Sequence, residues 1–75
     1  MKKKLSDMDY NEKGAVTEIE SDLRKRVAGM GIRVGKTLRM VTKQPIKGPV
    51  DVVVEGAETS LGLDMAEKIV VEVTK

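Results

Sequence analysis

The chain has 75 residues, 40% of them hydrophobic and 35% charged, with 14 basic side chains against 12 acidic ones for a formal net charge of +2. That length holds one small domain. With no His and no Cys, it excludes zinc fingers, iron–sulfur clusters, haem held by His or thiolate, thiol catalysis and a Ser-His-Asp triad.

The start, Met1-Lys2-Lys3-Lys4, carries like charges at a chain end, so residues 1–4 are expected to be a disordered basic start to a single domain over residues 1–75. It runs into Leu5-Ser6-Asp7 rather than into the apolar segment of a secretion signal. No apolar run approaches the roughly 20 residues that cross a bilayer. The absence of cysteine agrees with a reducing compartment, so the expected location is cytoplasmic.

Leu5 and Met8 lie three apart and suit one helical turn that closes an end of the core. Gly14 to Glu20 is rich in Val, Thr and Ile after a glycine, which favours a strand; Val16 and Ile19 break strict alternation, and a bulge reconciles them. Ser21 to Met30 reads as the main helix, with Ser21 or Asp22 as its cap, Leu23, Val27 and Met30 on one face and Gly29 and Gly31 at its end. Arg26 is expected to lay its stem over the barrel.

Lys36 to Val41 alternates as a half-buried strand with Leu38 and Met40 on one face, and Val50 to Glu55 repeats the pattern with Val50, Val52 and Val54. Thr42 to Pro49 joins them as a hairpin loop holding Pro45 and Pro49. A turn at Gly56-Ala57-Glu58, a short strand over 59–63, one helical turn from Asp64, which caps it, to Lys68, and a final strand from Ile69 to Val73 complete the chain. The fold class is therefore mainly β: a small barrel of about five strands with one short helix between the first two.

Little in this inventory carries chemistry. Gly29, Gly31 and Gly35 follow a helix, whereas a phosphate-binding glycine loop precedes one. The acidic sets Asp7, Asp9, Glu12 and Glu18, Glu20, Asp22 lack the spacing of a calcium loop. Met30, Met40 and Met65 fall on apolar faces and read as core filler. The lone aromatic Tyr10 and the interleaved charges beyond Lys4 give no stacking platform and no basic stripe, so no nucleic acid is expected as a partner. The chain is not expected to be an enzyme, and catalytic, cofactor-binding and metal residues are assigned to none.

In this order the chain resembles the FeoA family, ferrous iron transport protein A. The likeness is carried by Leu5 to Met8, Gly14 to Ile19, the block Arg26-Val27-Ala28-Gly29-Met30-Gly31-Ile32-Arg33-Val34-Gly35, then Pro45-Ile46-Lys47-Gly48-Pro49-Val50, and Leu61 with Ala66 and Ile69. The resemblance implies an SH3-like barrel acting as an accessory or regulatory module beside the membrane transporter FeoB, at that transporter's cytoplasmic GTP-binding region, and so associated with the membrane indirectly. No resident cofactor is expected from the residues themselves, and weak binding of divalent iron is left open. The alternative is a freestanding metal-responsive regulator related to the SH3-like domain of iron-dependent repressors.

Candidate partner contacts are Arg33 beyond the helix, Ile46 and Lys47 in the proline-bearing loop, and Leu61 and Leu63 in the short strand, where both leucines also fit a core role. Unpaired strand edges of an incompletely closed barrel make a homo-oligomer a further expectation.

Overall fold

Alternating side chains decide which face each strand buries, and the computed structural model, which describes residues 1–43 and 48–74, follows that alternation closely. The elements are β1 (Lys2–Lys4), a 3-10 turn (Leu5–Asp7), β2 (Lys13–Ile19), α1 (Arg24–Ala28), β3 (Thr37–Lys43), β4 (Val50–Val54), β5 (Ala57–Leu61), α2 (Leu63–Ala66) and β6 (Ile69–Thr74). Val50, Val52 and Val54 of β4, Leu38 and Met40 of β3, and Ile69, Val71 and Val73 of β6 enter one core. Leu5 and Met8 close one end of it, fully buried.

The six strands form one sheet in the order β1-β6-β2-β3-β4-β5, every pairing antiparallel. The fold is thus mainly β as expected; pairing of the basic start as β1 adds a sixth strand to the expected five or so and puts α1 between the second and third strands rather than the first two, and β1 and β5 are the two edges of the sheet rather than a hydrogen-bonded closure. Against β6, the register of β2 shifts between Val16 and Glu18. That bulge lets Val16 and Ile19 both face inward although they are three residues apart.

The basic start is ordered, contrary to expectation. Lys2, Lys3 and Lys4 pair with Glu72, Val71 and Val70 of β6, the terminal ammonium meets the Glu72 carboxylate, and Lys3 Nζ donates to Glu12 Oε1 at 3.0 Å. Strand pairing and opposite charges hold what like charges alone would leave loose. Three lysines also make β1 a poor template for another chain's edge.

α1 is shorter than its expected span of residues 21–30, at five residues. Leu23 occupies the cap position in helical geometry, and neither Ser21 nor Asp22 bonds to the helix end. At the other end the Gly31 N–H donates to the Ala28 carbonyl at 3.0 Å and the Ile32 N–H to the Val27 carbonyl at 3.0 Å. With Gly31 at φ +84° this is a Schellman motif, and it drives Ile32 under the helix. Met30 consequently lies 37% exposed and is not core filler. Arg26 is exposed; Arg24 is the arginine that folds back, donating Nε to the Ile19 carbonyl at 3.2 Å.

The turn before β5 comes earlier than expected. Val54 pairs with Ala57, so Glu55 and Gly56 form a two-residue hairpin with φ of 51° and 81°. The strand is accordingly Ala57–Leu61, and Leu63 begins α2, for which Gly62 and not Asp64 stands at the cap. The expected loop from Thr42 to Pro49 joins two strands that do pair antiparallel; its centre, Gln44 to Lys47, lies outside the described residues.

At Gly14 the β2–β6 pairing leaves no room for a side chain: a Cβ there would run into Val71 Cγ1 and the Glu72 carbonyl, whereas at Gly56 it would meet nothing. Gly14→Ala is expected to cost at least about 2 kcal/mol through overpacking, a fall in Tm of roughly 10 °C for a domain of this size. Gly56→Ala carries only a left-handed backbone penalty of about 1 kcal/mol. Thermal unfolding followed by circular dichroism separates the two, and equal losses would contradict the close approach at Gly14.

Candidate functional site

The site is built where β2 ends. Ile19, the last residue of β2, is 5% exposed and begins the floor. After a tight turn Leu23, at the cap of α1, and Val27 within it face inward, while Lys25 and Arg26 point outward and Arg24 folds back toward Ile19. The Schellman turn returns the chain beneath the helix, placing Ile32 in the core and Arg33 and Val34 at the surface. This returning segment is pinned to β2 by backbone bonds, with Gly35 N–H donating to the Val16 carbonyl at 2.8 Å and Val16 N–H to the Lys36 carbonyl at 2.9 Å.

Between these walls lies a groove of about 260 Å³ lined by Ile19, Arg24, Ala28, Ile32, Arg33 and Val34. Its floor is aliphatic and its charged side chains are two arginines. It is smaller than the roughly 300–1,000 Å³ typical of sites that enclose a drug-sized molecule, and nothing lining it can act as nucleophile or general base. The arrangement suits the capture of a side chain or two from another molecule. Val34 is 58% exposed, which leaves an aliphatic rim in water.

Arg33 also borders a neighbouring depression of about 210 Å³ with Gly31, Lys36 and Glu55. There the Lys36 ammonium pairs with the Glu55 carboxylate. The hydrogen bond from Lys36 holds the Glu55 carboxyl below its ordinary value of 4.5, its charge and that of Arg33 act in the same direction, and partial desolvation opposes them. A third depression, floored by Ile19 and Val70 and rimmed by Lys4, Glu18, Glu20, Glu67 and Lys68, is of about 310 Å³. Its rim carries three carboxylates and two ammonium groups, so it presents both signs of charge where the groove presents one.

Of the residues singled out in the sequence, Arg33 lies in the groove. Leu61 is 1% exposed and belongs to the core, Leu63 is half-buried at the start of α2, and Ile46 and Lys47 lie outside the described residues. Arg24, Ala28 and Val34 were not foreseen. Their convergence depends on the turn at Gly31, and the sequence signal available for it was the Gly-Ile pair after the helix.

Among the described residues no three acidic side chains converge as a metal would require. Asp9 and Glu12 close instead on a protein cation, Lys3, at 3.5 and 3.0 Å, and Asp22 pairs with Lys68 at 3.5 Å.

A family model described as the FeoA domain matches residues 3–73. Among solved structures, the crystal structure of an iron uptake regulatory protein, FeoA, is similar over 99% of this chain and 100% of its own, at 28% identity and a TM-score of 0.91. Stenotrophomonas maltophilia FeoA, crystallised with zinc and described as a prokaryotic SH3 domain protein, is similar over 96% of this chain and 89% of its own, at 26% identity and a TM-score of 0.76. A manganese-dependent transcriptional repressor shares the fold over 97% of this chain but 42% of its own, at 22% identity and a TM-score of 0.88. A search of curated proteins finds no match.

The Lys36–Glu55 pair yields a titration. Because the folded-state pKa of Glu55 is lowered, its contribution to stability is present at neutral pH and lost as pH falls through that lowered value. Carboxyl-carbon NMR should place Glu55 below 4.5, and Lys36→Gln should return it toward the ordinary range. The stability difference between wild type and Lys36→Gln should shrink with acid and with added salt; a difference that persists at pH 2 would contradict the pairing.

Proposed function

The chain belongs to the FeoA family, and from that premise we propose that it is a small accessory protein of ferrous iron uptake, a binding module for the cytoplasmic GTP-binding region of the FeoB transporter. The observation that carries this reading is the family match over residues 3–73. The groove supports it, being suited to grip a protein surface and lacking catalytic groups. Among the described residues no helix is long and apolar enough to cross a membrane, and the proposed partner places the chain at the cytoplasmic face.

The proposed contacts are Arg33 and Val34 of the groove, with half-buried Leu63 and, outside the described residues, Ile46 and Lys47 as further candidates; Leu61 belongs to the core and is not among them. A module of this kind alters its partner's GTP turnover only through unequal affinity for the partner's states, raising it or lowering it according to which state it prefers. The second reading, a freestanding metal-responsive regulator, is favoured by one observation: the fold shared with a manganese-dependent repressor. The zinc in the Stenotrophomonas maltophilia relative makes ferrous iron a necessary arm of any test.

An amide chemical-shift titration of the labelled chain with the transporter's cytoplasmic region, with and without GTP, tests the reading. Saturable shifts at the groove or the Gln44 to Gly48 segment are expected, and Ile46→Glu should weaken binding at least about tenfold, roughly the cost of one good interface contact, with the amide spectrum otherwise intact. No response to that region, together with discrete shifts or broadening at acidic residues on anaerobic addition of ferrous iron, would replace it with the regulator reading.

A further inference from the structure

The groove between α1 and the segment leading to β3 combines an aliphatic floor with cations that the fold does not neutralise. Ile32 is fully buried at its base, Ala28 is half-buried, and Val34 stands 58% exposed at its rim. No acidic side chain lines it. Arg24 spends its Nε on the Ile19 carbonyl, and among the described residues neither its terminal nitrogens nor the Arg33 guanidinium forms an ion pair within 4 Å. Glu55, the carboxylate whose charge Arg33 feels, is already paired with Lys36. Lys25 and Arg26 on the exposed side of α1 add to the same positive field.

We infer that this groove receives an acidic, apolar peptide segment of a protein partner, one aliphatic side chain packing on Ala28 and Val34 above the buried Ile32 while a neighbouring carboxylate is held between Arg24 and Arg33. The inference rests on the reading of the chain as a binding module and specifies what the module grips. A volume of about 260 Å³ accommodates side chains rather than a free metabolite. Guanidinium groups take carboxylates in a planar, two-point contact that a lysine cannot copy. Phosphate-rich partners are the poorer match: no aromatic ring lines the groove to stack a base, and an aliphatic floor has nothing to offer a phosphate. The site is also preorganised, because one arginine is tethered to the end of β2 and the 32–36 segment is bonded to β2 along its backbone. The ordering left to oppose binding is that of the Arg33 side chain and the Arg24 guanidinium end.

The test uses the full 15N-labelled chain and three synthetic peptides of equal length, alternating Glu with Leu, Lys with Leu, and Glu with Ser. The Glu-Leu peptide should give saturable shifts at amides 28–34, with the other two at least about tenfold weaker. Arg33→Glu should abolish that response and reverse the preference toward the Lys-Leu peptide. Val34→Ser, at a residue already exposed, should weaken Glu-Leu binding without altering the fold.

Equal response to the Glu-Ser or Lys-Leu peptide, shifts confined to other faces, tighter occupation of the groove by a short RNA, or concentration-dependent shifts from a second copy of the chain would each overturn the inference. If the transporter's cytoplasmic region binds while amides 28–34 stay unmoved, the groove assignment falls and the accessory reading stands. If the Glu-Leu peptide fills the groove and the transporter region does not bind, the groove assignment stands and the choice of partner falls.

Discussion

The antiparallel contact between β2 and β6 is the constraint on which the rest of the molecule depends. β6 lies between β1 and β2, so the last strand of the sequence organises the first two, and the sheet is incomplete until it is present. At Gly14 the two strands come close enough to exclude a side chain. Beyond it, between Val16 and Glu18, the bulge turns β2 so that both Val16 and Ile19 reach the core. From there β2 positions both walls of the groove: its Ile19 carbonyl anchors Arg24 and its Val16 backbone anchors the segment from Arg33 to Lys36.

Stability and recognition are divided between different groups. The core is aliphatic almost throughout, and each fully buried Val, Leu or Ile contributes about 1.5–3 kcal/mol against chain entropy. The ion pairs lie at strand edges and turns and are largely exposed, where solvent screening leaves them little net stability. Their physical role is placement: Lys3 gathers Asp9 and Glu12 beside β1, and Lys36 holds Glu55 at the β4–β5 hairpin. Arg24 and Arg33 are cations that placement leaves over for a partner.

Much of this was legible in the sequence because period-two alternation is a strong signal. Val50, Val52 and Val54, and Ile69, Val71 and Val73, declare their buried face directly, and the irregular Val16–Ile19 spacing declares the bulge. What escaped reading depends on contacts distant in sequence. Three lysines look like a solvated tail until β6 and Glu12 are beside them. Glu55 gives no hint of a left-handed backbone, which moved β5 two residues toward the N-terminus of its expected span. Arg33 was recognisable as an exposed cation, but the groove around it requires Gly31 to fold the chain back under α1, and its partners Arg24 and Val34 sit on separate segments.

The fold therefore presents a rigid ladder with a preformed groove at one end, and binding should occupy the groove without disturbing the ladder. Hydrogen–deuterium exchange of the full chain, alone and with the FeoB cytoplasmic region, tests this most directly. The β2 and β6 amides should exchange slowest in both states, with added protection concentrated at residues 28–36. Protection spread along β1 and β6, or faster exchange in β2 on binding, would contradict it.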